Sequence, residues 1–128
     1  MKLRIKGSSL RLRVTRGELR NLAESGVVEE RVPFGVHSAL TYRLVRDPGS
    51  GIIDARYEQD VLEVRVPAEA VERWQSTDLV TLATAQPVPG GELKISLEKD
   101  FACLGPREGE DESDNFPHPQ EDAGARCG

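Results

Sequence analysis

The stretch Leu10 to Val28, LRLRVTRGELRNLAESGVV, finds its apolar pattern again 52 residues later in Leu62 to Val80, LEVRVPAEAVERWQSTDLV. In that register Leu10, Leu12, Val14, Leu19, Leu22, Val27 and Val28 fall on Leu62, Val64, Val66, Val71, Trp74, Leu79 and Val80. Only Leu10/Leu62, Arg13/Arg65, Val14/Val66 and Val28/Val80 are identical. What recurs is therefore a burial pattern, and a recurring burial pattern predicts one supersecondary unit built twice.

Each half reads as strand, strand, helix, strand, strand. Lys2 to Lys6 and Leu10 to Val14 alternate apolar and basic residues around Gly7-Ser8-Ser9, the pattern of a hairpin with one buried face. Thr15 and Glu18 have capping-box spacing, so a short helix should start there, carry Leu19 and Leu22 inward, and stop at Gly26. Strands over Val28 to Phe34 and Ala39 to Val45 follow, with Pro33 placing the former at an edge. Asp47-Pro-Gly-Ser-Gly51 joins the halves. The second half repeats the order: a hairpin turning at Gln59-Asp60, a helix opened by Pro67 with Val71 and Trp74 inward, then strands over Leu79 to Thr84 and Leu93 to Leu97 joined through Pro87 to Gly91. Leu40, Tyr42 and Leu44 fall on Leu93, Ile95 and Leu97, so the last strand repeats as well. Trp74 sits on an apolar helical stripe and reads as core.

The predicted fold is α+β, mostly β: two ββαββ units closing into a compact barrel or sandwich. A single domain over 1–104 contains pseudo-repeats 2–46 and 52–101. From residue 105 the chain has three prolines, four glycines and a dense acidic run, too little apolar surface to offset the entropy of ordering it, so 105–128 reads as a disordered acidic arm. No apolar run approaches the ~20 residues of a membrane helix, and MKLRIKGSS lacks the continuous apolar segment of a secretory signal. With two cysteines only, Cys103 and Cys127, a disulfide framework is not expected, and the expected compartment is the cytoplasm.

The half-unit LRLRVTRGELRNL, and more closely VLEVRVPAEAVERWQSTDLVTLATAQPVPGGELKISL, resembles the AbrB-type swapped-hairpin module, whose units interlock in pairs into one closed barrel. That resemblance implies two copies closing intramolecularly; members include DNA-binding regulators and antitoxins, and the fold alone transfers no activity. The whole chain, notably KLRIKGSSLRLRVTRGEL and LEKDFACL followed by EDESDNFPHP, also resembles an uncharacterised family of small bacterial proteins, which implies a bacterial origin and no particular function.

Charge is polarised along the chain. Residues 1 to 20 hold Lys2, Arg4, Lys6, Arg11, Arg13, Arg16 and Arg20 against Glu18 alone, whereas the C-terminal arm is strongly acidic. The seven cations are the candidate nucleic-acid or anion-binding residues, because a basic β-ribbon suits the phosphates of a DNA groove. They read alternatively as a solvated strand face paired with Glu29, Glu30 or the arm, and a pI near 5.1 weighs toward that reading. If the arm covers the basic face, deleting 105–128 strengthens DNA binding.

Other chemistry is poorly supported. Cys103, His118, Cys127, Asp111 and Asp114 are metal-ligand types without metal-ligand spacing, and no phosphate-cradling glycine loop precedes a helix. No cofactor or metal is expected. The leading expectation is a non-enzymatic binding module with a protein or nucleic-acid partner. The rival is a small hydrolase or metal-dependent enzyme using Asp100, Asp111, Asp114 and His118.

Overall fold

The computed structural model describes residues 1–101. Its elements are β1 (Lys2–Ile5), β2 (Ser9–Val14), α1 (Arg16–Ser25), β3 (Val27–Pro33), β4 (Ala39–Asp47), β5 (Asp54–Glu58), β6 (Val61–Pro67), α2 (Ala68–Ser76), β7 (Thr81–Val88) and β8 (Gly91–Lys99). The local signals act as expected. Thr15 Oγ1 accepts from the Glu18 amide at 3.2 Å while Glu18 Oε1 accepts from the Thr15 amide at 2.9 Å, and Gly26 stops the helix at φ 87°. Gln59 and Asp60 both have positive φ, as a two-residue hairpin turn with the twist of its strands requires.

The halves exchange their hairpins. One sheet runs β1-β2-β8-β7 and the other β3-β4-β6-β5, so each combines one hairpin from each half. The inner pairs, β2 with β8 and β4 with β6, are parallel, and all others are antiparallel. The inward rows of both sheets meet α1 and α2 in one core of sixteen buried apolar residues, including Leu12, Val14, Leu22, Leu44, Val64, Val66, Trp74 and Leu97. Trp74 is fully buried and donates its indole N–H to the Val80 carbonyl at 3.1 Å, a core residue with its polar atom satisfied.

The sheets stack as a sandwich; the alternative of a closed barrel does not hold, because no backbone ladder joins β1 to β3 or β5 to β7. Polar contacts outside the ladders bridge those seams. Gln86 on β7 reaches Ala55 on β5, and the Met1 ammonium, preceding β1, reaches Glu18 on α1 and Glu30 on β3.

Three local expectations are corrected. β7 and β8 extend to Val88 and from Gly91, so the connection is a tight turn at Pro89-Gly90. Pro67 is the residue before α2, not its first turn. The expected match of Val28 with Val80 also fails: Val28 pairs with Leu44 and Leu82 with Leu97, so Leu82 holds the position equivalent to Val28, and Val80 is 42% exposed. The cause is the longer exit from α2, where Thr77 to Val80 replaces a single Gly26.

Candidate functional site

The matched architecture allows the two outer sheet faces to be compared position by position. Across β3-β4-β6-β5 one row reads Glu29-Arg43-Glu63-Arg56. Arg43 lies 3.3 Å from Glu29 and 3.8 Å from Glu63, while Glu63 also accepts from Arg65 Nε at 2.7 Å. The next positions add Arg65 to Asp47 at 3.7 Å and Arg56 to Asp54 at 3.1 Å. Alternating charges opposite one another stabilise a sheet face. This face is an ion-pair lattice with four cations against five acids, counting Asp47, Asp54 and Glu58 with Arg31.

The other sheet's face is built alike and charged differently. Its corresponding row, Arg4-Arg11-Ser96-Ala83, contains no acid, and the row beside it, Lys2-Arg13-Glu98-Thr81, contains one. Arg13 keeps the position of Arg65, whereas Arg11 stands where the lattice has Glu63. Arg4 faces Arg11 and Lys2 faces Arg13 across the hairpin, an arrangement of like charges that costs stability. Glu98 gathers two of them, Arg13 at 3.1 Å and Arg11 at 3.7 Å, and Asp100 holds Lys2 at 3.2 Å. Arg13 is thereby the one buried charged residue among those described, at 8% exposure. With Lys94 the face carries five cations against Glu92 and Glu98.

Of the seven cations singled out from sequence, Lys2, Arg4, Arg11 and Arg13 therefore share this face, and a shallow hollow of about 330 Å³ lies among them. Lys6 lies in the β1–β2 turn. Arg16 and Arg20 sit on α1 and line a different groove, with Val14, Leu19, Lys99 and Phe101. The cation that sequence reasoning missed is Lys94, whose position beside Ser9 follows only from the β2–β8 pairing.

A second charged cluster sits at the β1–β3 seam. Burial pushes the Glu18 carboxyl up, but hydrogen bonds from the Met1 ammonium and the Thr15 amide outweigh it and hold the carboxyl below its ordinary range. Burial likewise depresses the Met1 ammonium, and Glu18 and Glu30 reverse this and raise it. Tyr42 donates to the Met1 carbonyl at 3.1 Å, and burial, then Glu30 and Glu18, pushes its phenol up. Each charge here has a partner within the fold, which marks the cluster as structural.

His37 is exposed in the β3–β4 loop. Asp100 is tied to Lys2, and Cys103, Asp111, Asp114, His118, Cys127 and the acidic arm lie outside the described residues. Among the described residues no three His, Cys, Asp or Glu side chains gather as a metal site would require, and no helix is long and apolar enough to cross a membrane. In comparison with known proteins, the model of a family of unknown function, DUF7009, matches residues 1–120. No curated protein and no solved structure matches the chain.

Proposed function

The chain belongs to this family of unknown function, and we propose that it acts as a non-enzymatic binding module whose partner is a polyanion, nucleic acid, held on the outer face of the β1-β2-β8-β7 sheet. The observation that carries this reading is the row Arg4-Arg11-Ser96-Ala83: one scaffold presents a neutralised face on one side and an acid-free row on the other. Nothing in the fold requires the difference, because the lattice at Glu29-Arg43-Glu63-Arg56 shows that the same positions accept alternating charge. A phosphate backbone is the natural ligand of a face with such an excess of cations, and its contribution to binding is electrostatic and salt-dependent.

The test is fluorescence anisotropy with a double-stranded DNA oligonucleotide between about 50 and 200 mM salt. The wild-type chain should bind with a linear log–log salt dependence. Arg11→Glu, which writes the Glu63 pattern into this face, should weaken binding and lower the slope by about one to two, while melting temperature holds. Absence of salt-dependent DNA binding, or an unchanged slope in Arg11→Glu, overturns the reading. Binding of polyglutamate in place of DNA would assign the face to an acidic protein partner.

A further inference from the structure

The fold has two equivalent crevices, each between the first turns of one helix, the end of the other helix and the residues that follow a central strand. One is bounded by Ala68, Val71 and Glu72 of α2, Ala23 of α1, and Arg46 and Pro48, and measures about 280 Å³. Arg46 reaches across it to the Ala23 carbonyl. The other is bounded at the matching positions by Arg16, Leu19, Arg20, Gln75, Lys99 and Phe101, with Asp78 and Asp100 also in its wall, and measures about 830 Å³. Lys99 takes the role of Arg46 and donates to the Thr77 carbonyl at 2.7 Å, which leaves two of its three donors for other groups.

The larger crevice holds an excess of cations, with Arg16, Arg20 and Lys99 against Asp78 and against Asp100, which is tied to Lys2. Arg16 occupies the first position of α1, where a cation opposes the helix dipole, and Arg20 lies one turn on, at the spacing where like charges repel. Among the described residues neither guanidinium has an ion-pair or hydrogen-bond partner. The other crevice has Ala68 and Glu72 there and avoids both penalties. The capping box takes the Thr15 and Glu18 amides, and the anion position is defined by the side-chain cations rather than by the helix end. Positions where a chain departs from the local rules are where functional sites are expected.

The walls add a second requirement. Val14 and Leu19 are buried behind the cations, and Phe101 presents its ring at the rim, 57% exposed. From two unpaired guanidiniums, an ammonium, an apolar floor and an exposed aromatic face, we infer that this groove binds a small organic phosphate with a flat apolar body, of the nucleotide class. The phosphate would take Arg16, Arg20 and the free donors of Lys99, and the ring would stack on Phe101 and cover Leu19. The volume falls within the range of about 300–1,000 Å³ usual for such ligands. This site is separate from the polyanion face, whose Arg4 and Arg11 do not line it.

Isothermal titration of the full chain with adenosine monophosphate tests the inference, with adenosine and inorganic phosphate as its two halves. The nucleotide should bind saturably and each half at least about tenfold more weakly. Arg16→Ala combined with Arg20→Glu rewrites the groove as its counterpart and should weaken nucleotide binding by about tenfold or more, with unchanged melting temperature. Phe101→Ala should weaken adenosine monophosphate but not phosphate, and Arg11→Glu should leave nucleotide binding intact. No binding by the wild-type chain, or equal binding by the Arg16/Arg20 double variant, overturns the site without bearing on the DNA test.

Discussion

Gln86 pairs with Ala55 as a strand would. Its side-chain oxygen accepts from the Ala55 amide at 2.7 Å and its amide group donates to the Ala55 carbonyl at 3.0 Å, across the seam between β7 and β5. One side chain thus satisfies both backbone groups of an edge residue that no neighbouring strand on that side reaches.

Gln86→Ala should therefore cost about 1–3 kcal/mol, since it leaves a part-buried donor and acceptor unpaired. Gln86→Glu keeps the acceptor but has no amide to give to the carbonyl, and should fall between wild type and alanine at neutral pH. Chemical denaturation of the three proteins checks the order, and equal stability of wild type and alanine would remove the seam from the account.

Arg13 and Arg65 hold matching positions with different surroundings. Arg13 is buried against Glu98, whereas the Arg65 side chain is 32% exposed and paired with Glu63 and Asp47. Arg13→Ala should destabilise by about 2–4 kcal/mol, because it removes a buried partner of Glu98, and Arg65→Ala by about 1 kcal/mol or less. Urea midpoints of the two variants test the asymmetry, and a larger loss in Arg65→Ala would contradict it.

Stability should fall off at both ends of the pH scale through one cluster. The folded Glu18 pKa lies below its ordinary 4.5, so the unfolded chain binds more protons there; the contribution is present above 4.5 and is lost as pH falls through the folded value. The Met1 ammonium is raised above its ordinary 8.0, so its contribution is present below 8.0 and is lost as pH rises through the folded value. Glu18→Gln should flatten both limbs and cost about 1–2 kcal/mol at neutral pH, part of it from the capping box. Melting curves from about pH 3 to about pH 10 measure this, and retention of both limbs in Glu18→Gln would sink the assignment.

The two basic sites should separate under salt. DNA affinity on the outer face should fall by orders of magnitude between about 50 and 200 mM salt, because several phosphates release counterions together. Nucleotide affinity in the Arg16–Arg20 groove should fall only a few-fold, because one phosphate is involved and an apolar contact carries part of the binding. Parallel titrations at the two salt concentrations read the difference, and equal salt dependence would merge the sites into one.

Short-range features were legible in the residues themselves. Alternation around Leu10, Leu12 and Val14, the Thr15–Glu18 cap, the Gly26 stop and the Gln59-Asp60 turn involve neighbours within a few positions, and such interactions act the same way in any fold that keeps the local element. Hence the ten elements, the buried Trp74 and the basic side of the first hairpin followed from sequence. The slip that makes Leu82 the counterpart of Val28 was hidden, since it arises in the irregular exit from α2, where no periodicity constrains the count.

Partnership between distant strands was decided only in three dimensions. Alternation says which face of a strand is buried but not which strand lies beside it, and that choice rests on how all apolar faces fill one core at once. The pairing of β2 with β8 sets Glu98 beside Arg13 and within reach of Arg11, and brings Lys94 to the basic face. The same packing puts Lys99 and Phe101 opposite Arg16 and Arg20, eighty residues away in sequence. Sequence alone determined that Arg11, Arg16 and Arg20 stand where the matching stretch has Glu63, Ala68 and Glu72; tertiary structure divided them between a sheet face and a groove, because charge pattern is written along the chain while proximity depends on the strands and helices that close around it.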